Sequence, residues 1–333
     1  MIGNNTCTLV VTYNRPELLS RCLDSIVNQS IKPSGLIIID NASSIDTFNK
    51  LVGLSYLSTE LVEEHDDYYI QEVFFRDIKI HYFRFPYNRG AAYAFYFGVK
   101  RFLDFEYDRL WIMDDDGYPD SAALSKLVEF SDRFDFLNSI VVDENNHELL
   151  SFDFFFPLTK ESFKWKSELL SKSKDGMLWS WACPFNGTMI SRNLVKSIGL
   201  PLYEMYGWGV EVEYMFRAKQ AGFEVVTICD AVHYHPRSRV ERANFLFGRY
   251  SVDIQSNKLK NYLLFRNNNY IWFNYGGLLV NLKHFLLYSI YFILNLRLIA
   301  LLNYSVSALD GILKNWRRFD ILQNRWNNKQ RIS

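Results

Sequence analysis

Proline is missing from the last 97 of the 333 residues, and all eight prolines lie at or before Pro236. Cysteine is scarce: Cys7, Cys22, Cys183 and Cys229 are too few for a disulfide scaffold and show no CxxC spacing. Each falls in an apolar or periodic stretch, so buried free thiols are expected, in keeping with a reducing cytoplasm. Net charge is also missing. Lys plus Arg is 37 and Asp plus Glu is 37, which argues against a generally basic nucleic-acid binder. No secretory signal opens the chain, because Met1 to Asn5 lacks a basic region and Leu9-Val10-Val11 is too short an apolar core. The one long apolar stretch, Phe285–Leu302, is interrupted by Asn295 and Arg297, whereas a spanning helix needs roughly 20 mostly apolar residues. Arg297 within it favours a helix lying in a membrane interface. Neither GxGxxG nor GxxxxGK[ST] occurs, which sets aside dinucleotide dehydrogenases and P-loop NTPases.

What is present is globular. Hydrophobic residues make up 49%, aromatics 17% and charged residues 22%, so disorder and collagen-like structure are excluded. The length implies about two domains. Charge divides unevenly: residues 237–333 carry 15 Lys/Arg against 4 Asp/Glu, and the first 236 residues carry 22 against 33. Together with the proline cut-off, this predicts a catalytic domain over 1–236 and a helical, basic, aromatic region over 237–333. The rear region calls for an anionic partner, a membrane first, with a helical cap bearing a solvated basic face as the plain alternative.

The front part reads as α/β. Thr8–Tyr13 and Gly35–Asp40 are short buried strands, and between them Leu18, Leu19, Cys22, Leu23, Ile26 and Val27 recur at helical spacing after Pro16. Strand, helix, strand at this spacing is a βαβ unit, hence a parallel sheet covered by helices. Residues 54–77 read as an acidic surface insertion. Ile80–Phe85 is a third strand, Ala91–Phe102 a helix and Arg109–Met113 a fourth strand. Ligands of open α/β sheets bind beyond the carboxyl ends of the strands. Four such ends carry polar residues here: Thr12/Tyr13/Arg15, Asp40/Asn41, Asn88/Arg89/Gly90 and Asp114-Asp115-Asp116. That is the pattern of a nucleotide crevice.

Three adjacent carboxylates after a hydrophobic strand repel one another, and a cation offsets the cost of crowding them near a crevice. Carboxylate oxygens suit Mg²⁺ or Mn²⁺, which commonly bridge carboxylates to substrate phosphates. Asp114 and Asp116 share one side of an extended segment, so both could serve one metal–diphosphate centre. A solvated acidic turn is the alternative, since Gly117-Tyr118-Pro119-Asp120 has turn chemistry.

From these residues on, the chain resembles an inverting family 2 glycosyltransferase with the GT-A fold, a Rossmann-like, mostly parallel sheet flanked by helices. It is most similar to the galactofuranosyl- and rhamnosyltransferases of bacterial surface polysaccharide synthesis. The resemblance runs from Val10–Arg15 through Asp40–Ser43, Asn88–Gly90 and Asp114–Asp116. It continues through Phe185-Asn186-Gly187, Trp208–Tyr214 and Ala231–His235 to Tyr262–Asn267, covering about residues 6–270. It implies that Thr12, Tyr13, Arg15, Asp40, Asn88 and Gly90 hold the donor nucleotide, with Asp114 and Asp115 at the sugar nucleotide. It implies Asp114, Asp116 and His235 as ligands of Mn²⁺ or Mg²⁺, His233 being the alternative histidine. Glu211 becomes the general base; Val210 stands where related enzymes carry another acid. Glu213 would touch the acceptor, although a helical ion pair with Arg217 is open to it. Trp179 and Trp208 would receive the acceptor sugar, a core role being the alternative. Arg266 would bind a diphosphate or form a salt bridge.

The resemblance further implies a nucleotide-sugar donor, and an acceptor glycan on polyprenyl diphosphate, as in O-antigen or capsule synthesis. The enzyme is then expected in the cytoplasm, peripheral on the inner leaflet, with no nucleic-acid partner. Trp272, Tyr288, Tyr291 and Trp316 would sit at headgroup depth, and Lys314, Arg317, Arg318 and Arg325 would face anionic lipid. The same apolar face could build a homo-oligomer. UDP-galactofuranose is the first donor expected, dTDP-rhamnose or another UDP-hexose the alternative. An inactive glycan-binding scaffold is the reading from a different class.

Overall fold

A computed structural model describes residues 5–59, 63–65, 67–155, 162–237, 241–255 and 257–319. They form two compact units, one of 1–203 with 214–238 and one of 204–213 with 239–333. The composition boundary at Pro236 does not foresee that residues 204–213, which include Glu211, group with the rear unit.

The front unit opens with β1 (Thr6–Thr12), α1 (Pro16–Val27), β2 (Gly35–Asp40), α2 (Ile45–Gly53), β3 (Glu63–His65), β4 (Tyr68–Phe75) and β5 (Ile78–Arg84). Next come α3 (Ala91–Asp104), β6 (Arg109–Asp114), β7 (Tyr118–Pro119), α4 (Ala123–Val128) and β8 (Phe136–Asp143). It continues with β9 (Leu149–Phe155), β10 (Ser162–Trp165), α5 (Lys166–Leu170), β11 (Met177–Trp179), β12 (Asn186–Ser191) and α6 (Arg192–Ile198). Helix α7 (Val210–Gln220) leads to the long β13 (Val225–His235).

The middle of the sheet runs β6-β1-β2-β5, all parallel. Every residue of β1 and β2 is buried, the mark of strands covered on both faces. Pro16 starts α1, whose Leu19, Cys22, Leu23, Ile26 and Val27 pack with Val10, Leu36, Ile38 and Trp111 in one core cluster. Cys7, Cys22 and Cys229 are buried free thiols, and Cys183 is half-buried. The expected insertion at 54–77 is instead partly sheet. Strand β4 pairs antiparallel with β5, matching Val73 to Ile80 and Ile70 to Phe83. The acidic character of 54–77 masked the aromatic and β-branched residues of β4, which lies between β5 and the short outer strand β3.

The rear unit holds a hairpin, β14 (Glu241–Phe245) with β15 (Tyr250–Ile254), then α8 (Lys258–Leu294) and α9 (Leu298–Ile312). Helix α8 breaks at Gly277, where φ is 80° and ψ is 175°. By length and composition alone, α8 is apolar enough to cross a membrane. The apolar stretch Phe285–Leu302 is two helices, because the chain turns at Leu296 (φ 53°) before α9. Tyr288 and Tyr291, expected at headgroup depth, are buried with Phe265, Phe292 and Tyr304 in the unit's own core. Trp272 stacks on His284 at 4.0 Å, and Trp316 lies 4.8 Å from the Arg266 guanidinium. The exposed apolar surface is aliphatic instead: Leu279 is 80% exposed, Leu296 88% and Ile299 77%. Arg325 lies outside the described residues.

Helix α9 closes on α8 at Gly311, where a Cβ would stand 2.1 Å from the Arg266 carbonyl oxygen. Backbone cannot yield there as a flexible side chain could. Gly311→Ala is expected to cost about 1–3 kcal/mol, the usual range for overpacking, and to lower the thermal midpoint by circular dichroism. An unchanged midpoint would show that the two helices are not held at this distance.

Candidate functional site

Parallel pairing brings the carboxyl ends of the central strands to one edge. Thr12 lies opposite Asp40, Asp40 opposite Arg84, and Val11 opposite Asp114. The chain after β6 runs into β7, which pairs antiparallel with the end of β13, His233 to Pro119 and Tyr234 to Tyr118. That register, continued by one residue, sets His235 opposite Gly117, beside Asp116. Topology therefore gathers residues more than a hundred positions apart.

The result is an ordered charge cluster. Asp114, Asp116 and His235 each offer a ligand atom, and these atoms lie within 4.8 Å of one another. His235 Nε2 is 3.1 Å from Asp116 Oδ1, and its Nδ1 is 2.6 Å from the Pro236 carbonyl. Nδ1 therefore carries a proton and donates to that carbonyl, which leaves Nε2 as the atom directed at the carboxylate. Arg15 donates to Asp115 at 3.0 Å and Asp116 at 2.7 Å, and Thr12 Oγ1 donates to Asp115 at 2.7 Å. Arg21 pairs with Glu144 at 2.6 Å and lies over the Tyr118 ring.

The carboxylates differ in charge as they differ in partners. Burial pushes Asp115 up to about 6 against the pull of Thr12 and Arg15. Burial also works against ionised Asp116, but His235 and then Arg15 outweigh it and hold Asp116 down to about 2. For His235 burial disfavours the proton, and Asp116 outweighs that and raises its pKa. An anionic carboxylate, a second carboxylate and an imidazole nitrogen form a donor set suited to Mn²⁺ or Mg²⁺. His233 is not part of this cluster. It is fully buried, pushed down to about 3 by burial, and neither ring nitrogen has a hydrogen-bond partner among the described residues.

The other expected nucleotide contacts ring this edge. Asp40 is fully buried, and its oxygens accept the Ser43 amide and the Tyr82 hydroxyl, each at 2.7 Å. Asp40 thus shapes the turn after β2 rather than offering a free carboxylate. Asn88 accepts from the Gly90 amide at 2.8 Å and from Asn41 at 3.2 Å, and Gly90 precedes α3. Tyr13 is 45% exposed. Asn14, at φ 53°, bonds the Ser44 amide and so locks two strand-end turns together. Asparagine's tolerance of positive φ was the only sequence signal for that lock. Tyr82 and Arg21 carry no sequence signal of their contacts with Asp40 and Glu144. Trp179 ends β11, 38% exposed and edge-on to Phe134 at 5.5 Å.

The remaining candidates belong to the rear unit. Glu211 lies in the first turn of α7, and burial lifts it to about 7 against the lowering effect of the Glu211 and Gly209 amides. Glu213 is buried and accepts the Tyr275 hydroxyl at 2.6 Å. Asn267 donates to the carbonyls of Met205 (2.9 Å) and Trp208 (2.6 Å), and Arg266 donates to that of Glu204 at 2.9 Å. Fully buried Arg266 holds the 3-10 turn and loop leading to Glu211, so its charge is directed at the protein's own carbonyls rather than at a surface phosphate or salt bridge.

The model for Glycosyl transferase family 2 matches residues 7–168. Those residues form a family 2 glycosyltransferase domain. The chain is 28% identical over 274 residues to galactofuranosyltransferase GlfT1 of Mycolicibacterium smegmatis, covering 80% of this chain and 82% of that protein. It is 26% identical over 270 residues to GlfT1 of Mycobacterium tuberculosis H37Rv, covering 79% and 80%. Among solved structures, the mannosyltransferase PcManGT from Pyrobaculum calidifontis, in complex with GDP-Man and Mn²⁺, superposes with a TM-score of 0.52 at 13% identity. That match covers 92% of this chain and 75% of that one. S. aureus TarS 1–349 with UDP-GlcNAc gives 0.51 at 13% identity, covering 81% and 67%. Both show the fold alone, a mostly parallel GT-A sheet; the family 2 match and the likeness to galactofuranosyltransferases make the enzyme a glycosyltransferase.

Replacing Asp116 with Asn removes the charge that sustains the His235 proton. In Asp116→Asn the His235 ring should titrate at lower pH by NMR, and Mn²⁺ affinity by electron paramagnetic resonance should fall at least about tenfold, the scale seen when a metal's supporting groups are removed. A His235 midpoint that does not move would show that Asp116 does not control the imidazole.

Proposed function

We propose that the enzyme is a divalent-metal-dependent inverting galactofuranosyltransferase. It takes galactofuranose from UDP-galactofuranose and places it on a hydroxyl of a lipid-linked surface glycan. The observation that carries the donor is the likeness to galactofuranosyltransferases over four fifths of the chain. Asp114, Asp116 and His235 would hold Mn²⁺ or Mg²⁺, which supplies charge compensation to a donor diphosphate. Thr12, Tyr13, Arg15, Asn88 and Gly90 line the nucleotide side, over the turn that Asp40 fixes.

Glu211 is the base. Its carboxylate takes the acceptor hydroxyl proton as that oxygen attacks the anomeric carbon, and the bond from that carbon to the diphosphate breaks. The electron pair leaves with UDP, and a single displacement inverts the centre. A carboxylate lifted to about 7 by burial is well matched to this work near neutral pH. Trp208 supplies the acceptor side, and Trp179 is a further candidate there; Glu213, buried against the Tyr275 hydroxyl, supports that segment rather than touching the acceptor.

The exposed aliphatic face of α8 and α9 supports peripheral binding to the inner leaflet, where a polyprenyl-linked acceptor would reside. The same face could instead mediate self-association.

Transfer is tested with UDP-galactofuranose, UDP-galactopyranose and dTDP-rhamnose on a synthetic lipid-linked acceptor. Only the first should turn over efficiently; equal or better use of dTDP-rhamnose would reassign the donor. Because the base works ionised, kcat/KM should climb about tenfold per pH unit below roughly 7 and then level off. Glu211→Gln should lower kcat by about 10²–10⁴-fold, the usual worth of a general base, with donor KM little changed. A variant retaining most activity would remove Glu211 from the base role.

A further inference from the structure

A cavity of about 870 Å³ lies wholly within the rear unit. Its volume is that of a ligand site rather than a packing flaw, since such sites run to roughly 300–1,000 Å³. Its walls are mixed: Phe265, Phe292 and Ile299 give apolar surface, Gln255, Asn261 and Asn303 give polar surface, and three cations, Lys258, Arg297 and Arg318, line it as well. Arg318 is paired with Asp310 at 2.7 Å. Lys258 and Arg297 are exposed and have no ion pair among the described residues. Arg297 stands between exposed Leu296 and Leu298, a cation within a greasy surface.

Few occupants suit both features. A soluble nucleotide would meet the cations and leave the apolar walls wet. A neutral lipid would cover the walls and leave the cations without a counter-charge. A second copy of this chain would bring a rear region with 15 Lys/Arg and 4 Asp/Glu against its like. An anionic phospholipid carries a phosphate and hydrocarbon in one molecule. We propose that the cavity binds one anionic phospholipid, its phosphate against Lys258 and Arg297 and an acyl chain along Phe265, Phe292 and Ile299. The site deepens the membrane part of the functional reading, on which it rests for its supply of lipid. It adds to general attraction a discrete site with a count of one.

The test is native mass spectrometry of the full chain in neutral detergent, with phosphatidylglycerol and phosphatidylcholine in equal amounts. The wild type should retain one phosphatidylglycerol at least fivefold in preference to phosphatidylcholine. The double variant Lys258→Gln/Arg297→Gln should lower that occupancy about tenfold. Ala300→Phe, which fills the cavity and keeps every cation, should lower it as well, circular dichroism confirming that both variants fold. Equal retention of the two lipids by the wild type overturns the proposal, as does undiminished phosphatidylglycerol in both variants. Vesicle flotation reads the membrane claim separately. Wild-type protein that floats without a selective adduct rejects the site alone, and selective adducts without flotation reject membrane docking while keeping the site.

Discussion

The mutual repulsion of Asp114, Asp115 and Asp116 is the constraint around which the front unit is arranged. Three carboxylates at the end of a buried strand are tolerable only if positive partners reach them. Arg15 comes from the turn after β1, and His235 from the last residue of β13. The two central βα crossings and the β7–β13 pairing are what deliver those partners. The outcome is asymmetric: His235 and Arg15 hold Asp116 down to about 2, and burial lifts Asp115 to about 6 although Thr12 and Arg15 bond to it. One carboxylate is thereby kept for electrostatic work and its neighbour for fixing the turn.

The rear unit solves a different problem, which is how to carry polar groups through helices that are otherwise apolar. Arg266, Asn267 and Asn269 are all fully buried in α8. Each answers a backbone need: Arg266 and Asn267 cap carbonyls of 204–208, and Asn269 donates to the Phe265 carbonyl at 2.8 Å. Asp310, also buried, accepts from Tyr262, Asn315 and Arg318. Buried charges with such partners are costly to break singly. They tie the segment leading to Glu211 into the same body as α8 and α9. The apolar residues left outside, Leu279, Leu296 and Ile299 among them, face solvent.

Much of this was legible before any coordinates. The hydrophobic runs at β1, β2 and β6 and the 3.6-residue spacing of α1 mark their boundaries to within a few residues, because buried parallel strands and amphipathic helices leave strong signals. The acidic triplet was legible because adjacent carboxylates after a hydrophobic strand call for a positive partner, whereas His235 came only with the family resemblance, which left His233 open beside it. Other features depended on contacts that no local pattern encodes. Tyr82 reaches Asp40 across two strands, and Asn267 reaches Trp208 from another part of the chain. The aromatic residues of α8 carry the same letters whether they face a membrane or a core. Only packing showed that Tyr288 and Tyr291 are inside and that leucine and isoleucine form the exposed face. Arg266 was misread for the same reason, since a guanidinium fits backbone carbonyls as well as it fits phosphate.

The central claim is that Asp114, Asp116 and His235 form a metal-dependent nucleotide diphosphate site. Calorimetric titration of UDP into the protein, once with Mn²⁺ and once with EDTA, tests it most directly. The account predicts clear UDP binding with Mn²⁺ that weakens at least about tenfold in EDTA, a loss of more than 1.4 kcal/mol. UDP binding of equal strength in both buffers, or none in either, would contradict it.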